Sequence, residues 1–82
     1  MELLKTRDHY ATSDVYLASS LLALGHTFVA IDRDEPTRCK FIFDNSTELQ
    51  ESVDAFWRKH LALEPQTLFT ALRSLKWQLH AK

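Results

Sequence analysis

The chain has 82 residues, 45% hydrophobic and 26% charged, which fits one folded domain and excludes a disordered polymer. Ten Lys and Arg stand against eleven Asp and Glu, and a net charge of −1 argues against a globally basic, nucleic-acid-coating protein. Cys39 is the sole cysteine, so no disulfide forms within the chain, and the count suits a reducing cytoplasm.

"MELLKTRDHY" carries charges where the apolar stretch of a signal peptide would begin, and "VYLASSLLALG" is too short to span a bilayer. A cytoplasmic protein with no membrane partner is expected. Residues 1–11 are mixed and unpatterned and read as a partly ordered N-terminal arm. Residues 12–82 read as a single domain.

"TSDVYLASSLLALG" predicts the first helix. Thr12 or Ser13 is the expected N-cap, Asp14 suits the first turn, and Gly25, the one glycine, suits the left-handed residue that ends the helix. Leu17, Ala18, Leu21, Leu22 and Leu24 cover more than half of the helical wheel, which predicts packing on two sides. Tyr16, Ser19 and Ser20 are expected on the remaining face.

"HTFVAID" and "RCKFIFD" are rich in β-branched and aromatic residues and predict two strands. In the second, Cys39, Phe41 and Phe43 alternate with Arg38, Lys40 and Ile42, the period of a half-buried strand. "RDEPT" between them holds turn-forming residues, so the pair reads as an antiparallel β-hairpin. Two strands are rarely stable alone; helices must cover one face, and a free edge needs pairing or protection.

"NSTELQESVDAFWRKH" predicts a second helix. Asn45 and Glu48 have the spacing of a capping box; Leu49, Val53, Phe56, Trp57 and His60 share one face; Asp54 and Arg58 make an i,i+4 pair. Pro65 suits the first turn of a third helix that runs to the C-terminus and ends basic. The expected fold is α+β, in the order α-β-β-α-α, with an antiparallel β-hairpin packed against three helices.

Chemistry-bearing clusters are sparse. The four histidines and Cys39 fall on different elements without metal-ligand spacing, so no metal and no cofactor is expected. His60 reads as the edge of a core face, and Cys39 as a small apolar residue on the inner face of the hairpin. Asp32, Asp34, Glu35 and Asp44 read as solvated turn residues, and a single glycine leaves no phosphate-cradling loop. A catalytic role is not expected.

The terminal helix is more informative. At about 100° per residue, Leu68, Leu72, Leu75 and Leu79 form a narrow stripe with Phe69 and Lys76 at its border. Gln66, Arg73, Trp77 and His80 occupy a separate stripe. Gln66, Arg73, Lys76, Trp77 and His80 are therefore the candidate interface or nucleic-acid-binding residues. Three readings compete. Trp77 packs under the N-terminal arm or another helix while Arg73 and Lys76 snorkel. The face pairs with a second copy or a protein partner, because Trp and Arg are enriched in interface hot spots. Or it contacts nucleic acid, with Arg73, Lys76, His80 and Lys82 near phosphates and Trp77 stacked on a base.

"TSDVYLASSLLALGH", "IDRDEPTRCKFIFD" and "EPQTLFTALRSLKWQL" resemble a family of small bacterial and phage-associated proteins known as a domain of unknown function. Thr12, Asp14, Tyr16, Leu17 and Ala18 match its opening T-x-D-x-Y-L-A pattern. Arg38, Phe41 and Phe43 approximate its central strand, and Pro65, Phe69, Ala71, Leu72, Arg73, Leu75 and Lys76 its closing helix. The resemblance covers nearly all of the chain after the first ten residues and implies no activity, cofactor or catalytic residue. The expectation is a non-enzymatic binding module, homodimeric, with a nucleic-acid-binding accessory protein or an inhibitor docking on a larger host or phage protein as alternatives.

Overall fold

A computed structural model of the chain describes residues 8–35 and 37–81. The elements are β1 (His9–Thr12), α1 (Val15–Ala23), β2 (Phe28–Asp32), β3 (Lys40–Asp44), α2 (Thr47–Trp57) and α3 (Pro65–His80). From α1 onward the order is α-β-β-α-α, as the sequence pattern predicts, and the fold is α+β.

The sheet has one strand more than the hairpin. β3 lies at its centre, in the order β1-β3-β2, antiparallel on both sides. β1 comes from the segment read as an arm. It pairs His9 with Asp44 and Thr12 with Phe41, and the Asn45 amide donates to the Asp8 carbonyl beyond it. A stretch too short and mixed to show a period of two becomes a strand because β3 otherwise leaves a row of backbone groups unpaired. The edge expected to be free is thus closed from within. The first seven residues of the arm lie outside the described residues.

β3 also supplies the centre of the core. Phe41 and Phe43 are fully buried against Leu17 and Leu21 of α1, Leu49 of α2 and Leu75 of α3. Phe28 of β2 meets the Phe43 ring edge-on, with centroids 5.5 Å apart. Lys40 and Asp44 lie exposed on the opposite face of the strand. Tyr10 packs against the core, and burial, with a smaller contribution from the Asp14 carboxylate, raises the pKa of its phenol.

α1 packs against both α3 and α2. The predicted two-sided packing is present except at Leu24, which lies exposed at the C-cap, and it extends further than expected, since Ser19 and Ser20, assigned to a wet face, are both buried. Their hydroxyls donate to the carbonyls of Val15 at 2.7 Å and Tyr16 at 3.0 Å, so neither carries an unsatisfied group inside. Asp14, rather than Thr12 or Ser13, is the N-cap of α1, accepting from the amides of Tyr16 at 2.8 Å and Leu17 at 3.2 Å. Thr12 Oγ1 instead accepts from the Asp14 amide.

Gly25 ends α1 as expected, at φ 95°. The amides of Gly25 and His26 donate back to Leu22 and Leu21, the double bond of a Schellman motif. α2 ends in the same pattern, with Lys59 and His60 donating to Phe56 and Ala55. There the left-handed residue is Lys59, at φ 63°. That turn stops α2 at Trp57, so His60 is exposed beyond the helix instead of edging the core, and Trp57 is 60% exposed with the Phe56 ring edge-on to its own. Ser46, not Asn45, caps α2, its Oγ accepting from the Leu49 amide at 3.0 Å. Asp54 and Arg58 pair at 3.1 Å on the solvated side, as the spacing predicts.

Candidate interface on the terminal helix

α3 starts on Pro65, where a missing N–H costs nothing, and Glu64 caps it. The Glu64 carboxylate accepts from the Thr67 amide at 2.8 Å and the Thr67 hydroxyl at 2.9 Å. Those bonds, together with one from the Gln66 amide, lower its pKa, the backbone bond from Thr67 most of all. Sixteen residues give a helix about 24 Å long. Its far end is held by a residue from outside the helix: Arg33, just after β2, donates through Nη1 to the Leu79 carbonyl at 2.9 Å and through Nη2 to the Gln78 carbonyl at 2.6 Å. A guanidinium is well suited to two adjacent carbonyls at a helix C-terminus; the Gln78 carbonyl also accepts from the Ala81 amide at 3.2 Å. No local motif in α3 announces this tie.

Ala71 and Leu75 are the buried residues of α3, while Leu68, Leu72 and Leu79 are half-buried at its flanks. The leucine stripe is therefore inward, with Ala71 added at its centre. On the opposite side, centred on Arg73, lie Gln66, Phe69, Thr70, Lys76, Trp77 and His80, all exposed. Trp77 is 73% exposed and Phe69 56%. Phe69 does not border the core as expected. At four residues before Arg73 it matches Trp77 four residues after, so the stripe reads aromatic, cation, aromatic.

Trp77 stands as a ridge between two open depressions. Arg73, Lys76, His80 and Ala81 line the first with it, and Thr70, Arg73, Ser74 and Gln78 the second. Among the described residues no carboxylate lines either one. Arg73, Lys76, Trp77 and His80 are thus brought together. Gln66 is on the same stripe, but about 16 Å along the axis from Trp77, beside the groove between α1 and α3. Neither another helix nor the described part of the arm shields Trp77; that part, residues 8–11, leads into and forms β1.

The remaining histidines are scattered. His9 Nε2 lies 4.0 Å from Asp44 Oδ1, His26 Nε2 lies 3.0 Å from Ser52 Oγ, and His60 is exposed after α2. Among the described residues no three His, Cys, Asp or Glu side chains converge in a metal-binding geometry. No helix among them is long and apolar enough to cross a membrane.

A family model described as Domain of unknown function (DUF5659) matches residues 7–81. The chain belongs to this family. The DUF5659 match takes in β1 along with every helix, so the short first strand lies inside the family's extent. No match to a curated protein or to a solved structure was found.

Proposed function

We propose that this DUF5659 protein is a cytoplasmic, non-enzymatic binding module that works as a homodimer, pairing through the exposed stripe of α3. The carrying observation is Trp77, the most exposed large apolar side chain among the described residues, on a ridge with Arg73 beside it and Phe69 one turn beyond. Such a surface is costly to leave in water and has the composition of an interface centre.

Self-pairing is supported by the arrangement of the stripe about Arg73. If two α3 helices cross antiparallel at Arg73, Trp77 of one copy meets Phe69 of the other. Lys76 then faces Thr70, and His80 faces Gln66, a pair able to share a hydrogen bond. Each Arg73 lies over an aromatic ring of the other copy, which offsets the repulsion of two guanidiniums near the axis. A sheet-to-sheet dimer is less favoured, because of the two outer strands β1 has four residues and β2 has an irregular register between Phe28 and Ala30. A helix pair about 24 Å long makes a small interface, so the expected affinity is micromolar.

Sedimentation equilibrium across micromolar concentrations tests this. Reversible dimerisation that Trp77→Ala abolishes without unfolding supports it; a strict monomer throughout that range sinks it. A second reading, contact with single-stranded nucleic acid, draws on the lack of any carboxylate around Trp77 among the described residues. It expects binding that weakens steeply with salt and with Arg73→Ala plus Lys76→Ala. Binding indifferent to both changes excludes it.

A further inference from the structure

A further concavity lies at the other side of His80, where the start of α1, the β2–β3 loop, β3 and the end of α3 meet. The start of α1 contributes Ser13 and Val15, the β2–β3 loop contributes Arg33, Thr37, Arg38 and Cys39, β3 contributes Phe41, and the end of α3 contributes Leu79 and His80. The cleft holds about 620 Å³, within the range of small-molecule sites. Val15, Phe41 and Leu79 make an apolar floor, while the polar lining consists of two guanidiniums, the His80 imidazole, two hydroxyls and the Cys39 thiol, with no carboxylate among the described residues.

Arg33 is already oriented by its bonds to the Leu79 and Gln78 carbonyls, and its guanidinium has further N–H donors beyond those two. Arg38 is exposed and also borders the turn that carries Asp32, Asp34 and Glu35, where Lys40 stands beside them. The Asp14 carboxylate is turned to the Tyr16 and Leu17 amides of its own helix. A guanidinium held by two bonds, a second exposed at the rim, and an apolar floor form a two-part recognition surface.

The geometry points to a binding site for a small organic anion, with a phosphate or carboxylate head at Arg33 and Arg38 and an apolar body over Phe41. The head replaces its hydration with charge-assisted hydrogen bonds, and the body covers Val15 and Leu79. Arg33 and Arg38, which hold the head, lie outside the α3 stripe; His80 is the residue that the cleft shares with the pairing face proposed above.

Phenyl phosphate is the probe, with inorganic phosphate and phenol as its two halves, followed by NMR titration of the whole chain. Cys39, the single cysteine and part of the lining, adds a second readout through its alkylation by iodoacetamide, a neutral reagent. Phenyl phosphate should give saturable shifts at Val15, Phe41 and Leu79 and slow alkylation of Cys39, and each half alone should bind more weakly. Arg38→Gln should weaken phenyl phosphate roughly tenfold, with Arg38→Lys recovering part of the loss. Thermal unfolding checks that both variants keep the fold. The assignment is overturned by shifts that do not saturate, by unchanged affinity in Arg38→Gln, or by inorganic phosphate binding as tightly as phenyl phosphate.

Discussion

α1 and α3 pack against each other, yet they are held in different ways. α1 is closed at both ends by its sequence neighbours: Asp14 caps the start, and Gly25 and His26 return their amides to the last turn. Its middle, from Leu17 to Leu21, is buried without a break. α3 is capped by a local side chain only at Glu64; at its other end the Ala81 amide returns to Trp77 and Gln78, and Arg33, more than forty residues earlier in the chain, adds two side-chain bonds. Of its sixteen residues only Ala71 and Leu75 are buried. A helix with neighbours on two sides keeps little open surface, here chiefly Tyr16 in its first turn. A helix docked on one side has a free face, and here that face carries Trp77.

The contrast can be broken most forcefully at α1. Leu21→Ala removes a fully buried side chain between the sheet and two helices and should cost about 2–5 kcal/mol in urea unfolding. Trp77→Ala on α3 should change stability by less than about 0.5 kcal/mol while removing self-association. Comparable losses in the two variants would mean that Trp77 is a core residue and that the two helices are not different in kind.

The helix ends sharpen the same contrast at smaller amplitude. Gly25→Ala forces a side chain to φ 95° and should cost about 1–2 kcal/mol although nothing crowds the added methyl. Arg33→Met should cost about 1 kcal/mol and release the last turn of α3. Amide hydrogen exchange separates these effects: Arg33→Met should speed exchange near Gln78 to Ala81 and leave the end of α1 unchanged. Lys59→Gly should work in the opposite sense, stabilising by about 0.5–1 kcal/mol, because it relieves the left-handed lysine that ends α2 in the pattern Gly25 gives α1.

The smallest effect is at Glu64, for which only a direction is expected. Its pKa is lowered by the bonds it accepts in the fold, so its contribution is present above its unfolded pKa and is lost as pH falls through the lower folded value. The stability difference between the native chain and Glu64→Gln should therefore shrink on acidification below about pH 4, read as a converging pair of thermal midpoints. A gap that stays constant would mean that the cap contributes through its shape alone.

Much of this was legible residue by residue. Alternation in "KFIFD" announces Phe41 and Phe43 as inward, and Gly25 and Pro65 mark one helix end and one helix start. The family resemblance carried by Thr12, Asp14, Tyr16, Leu17 and Ala18 agrees with the DUF5659 match. The exposed stripe at Arg73 and Trp77 is visible on a helical wheel, because a leucine stripe defines its own opposite side. The misses have a common cause. His9 to Thr12 have too little pattern to be a strand until β3 offers an unpaired edge. Ser19 and Ser20 look solvated until a second and third helix cover α1. The cleft at Arg33, Arg38 and His80 draws on segments more than forty residues apart, which no local spacing connects.

Local pattern alone placed the helices, the β2–β3 hairpin and the central core residues Leu17, Leu21, Phe41, Phe43, Leu49 and Leu75, and gave the last helix a basic-aromatic side. Those are properties of periodicity and of single turn and cap residues, acting over one or two helical turns. Tertiary structure alone decided that β1 exists, that Arg33 bonds to the end of α3, and that Phe69 joins Trp77 in the open while three distant segments enclose a cationic cleft. Each depends on which backbone groups and side chains are left unsatisfied once the local elements meet.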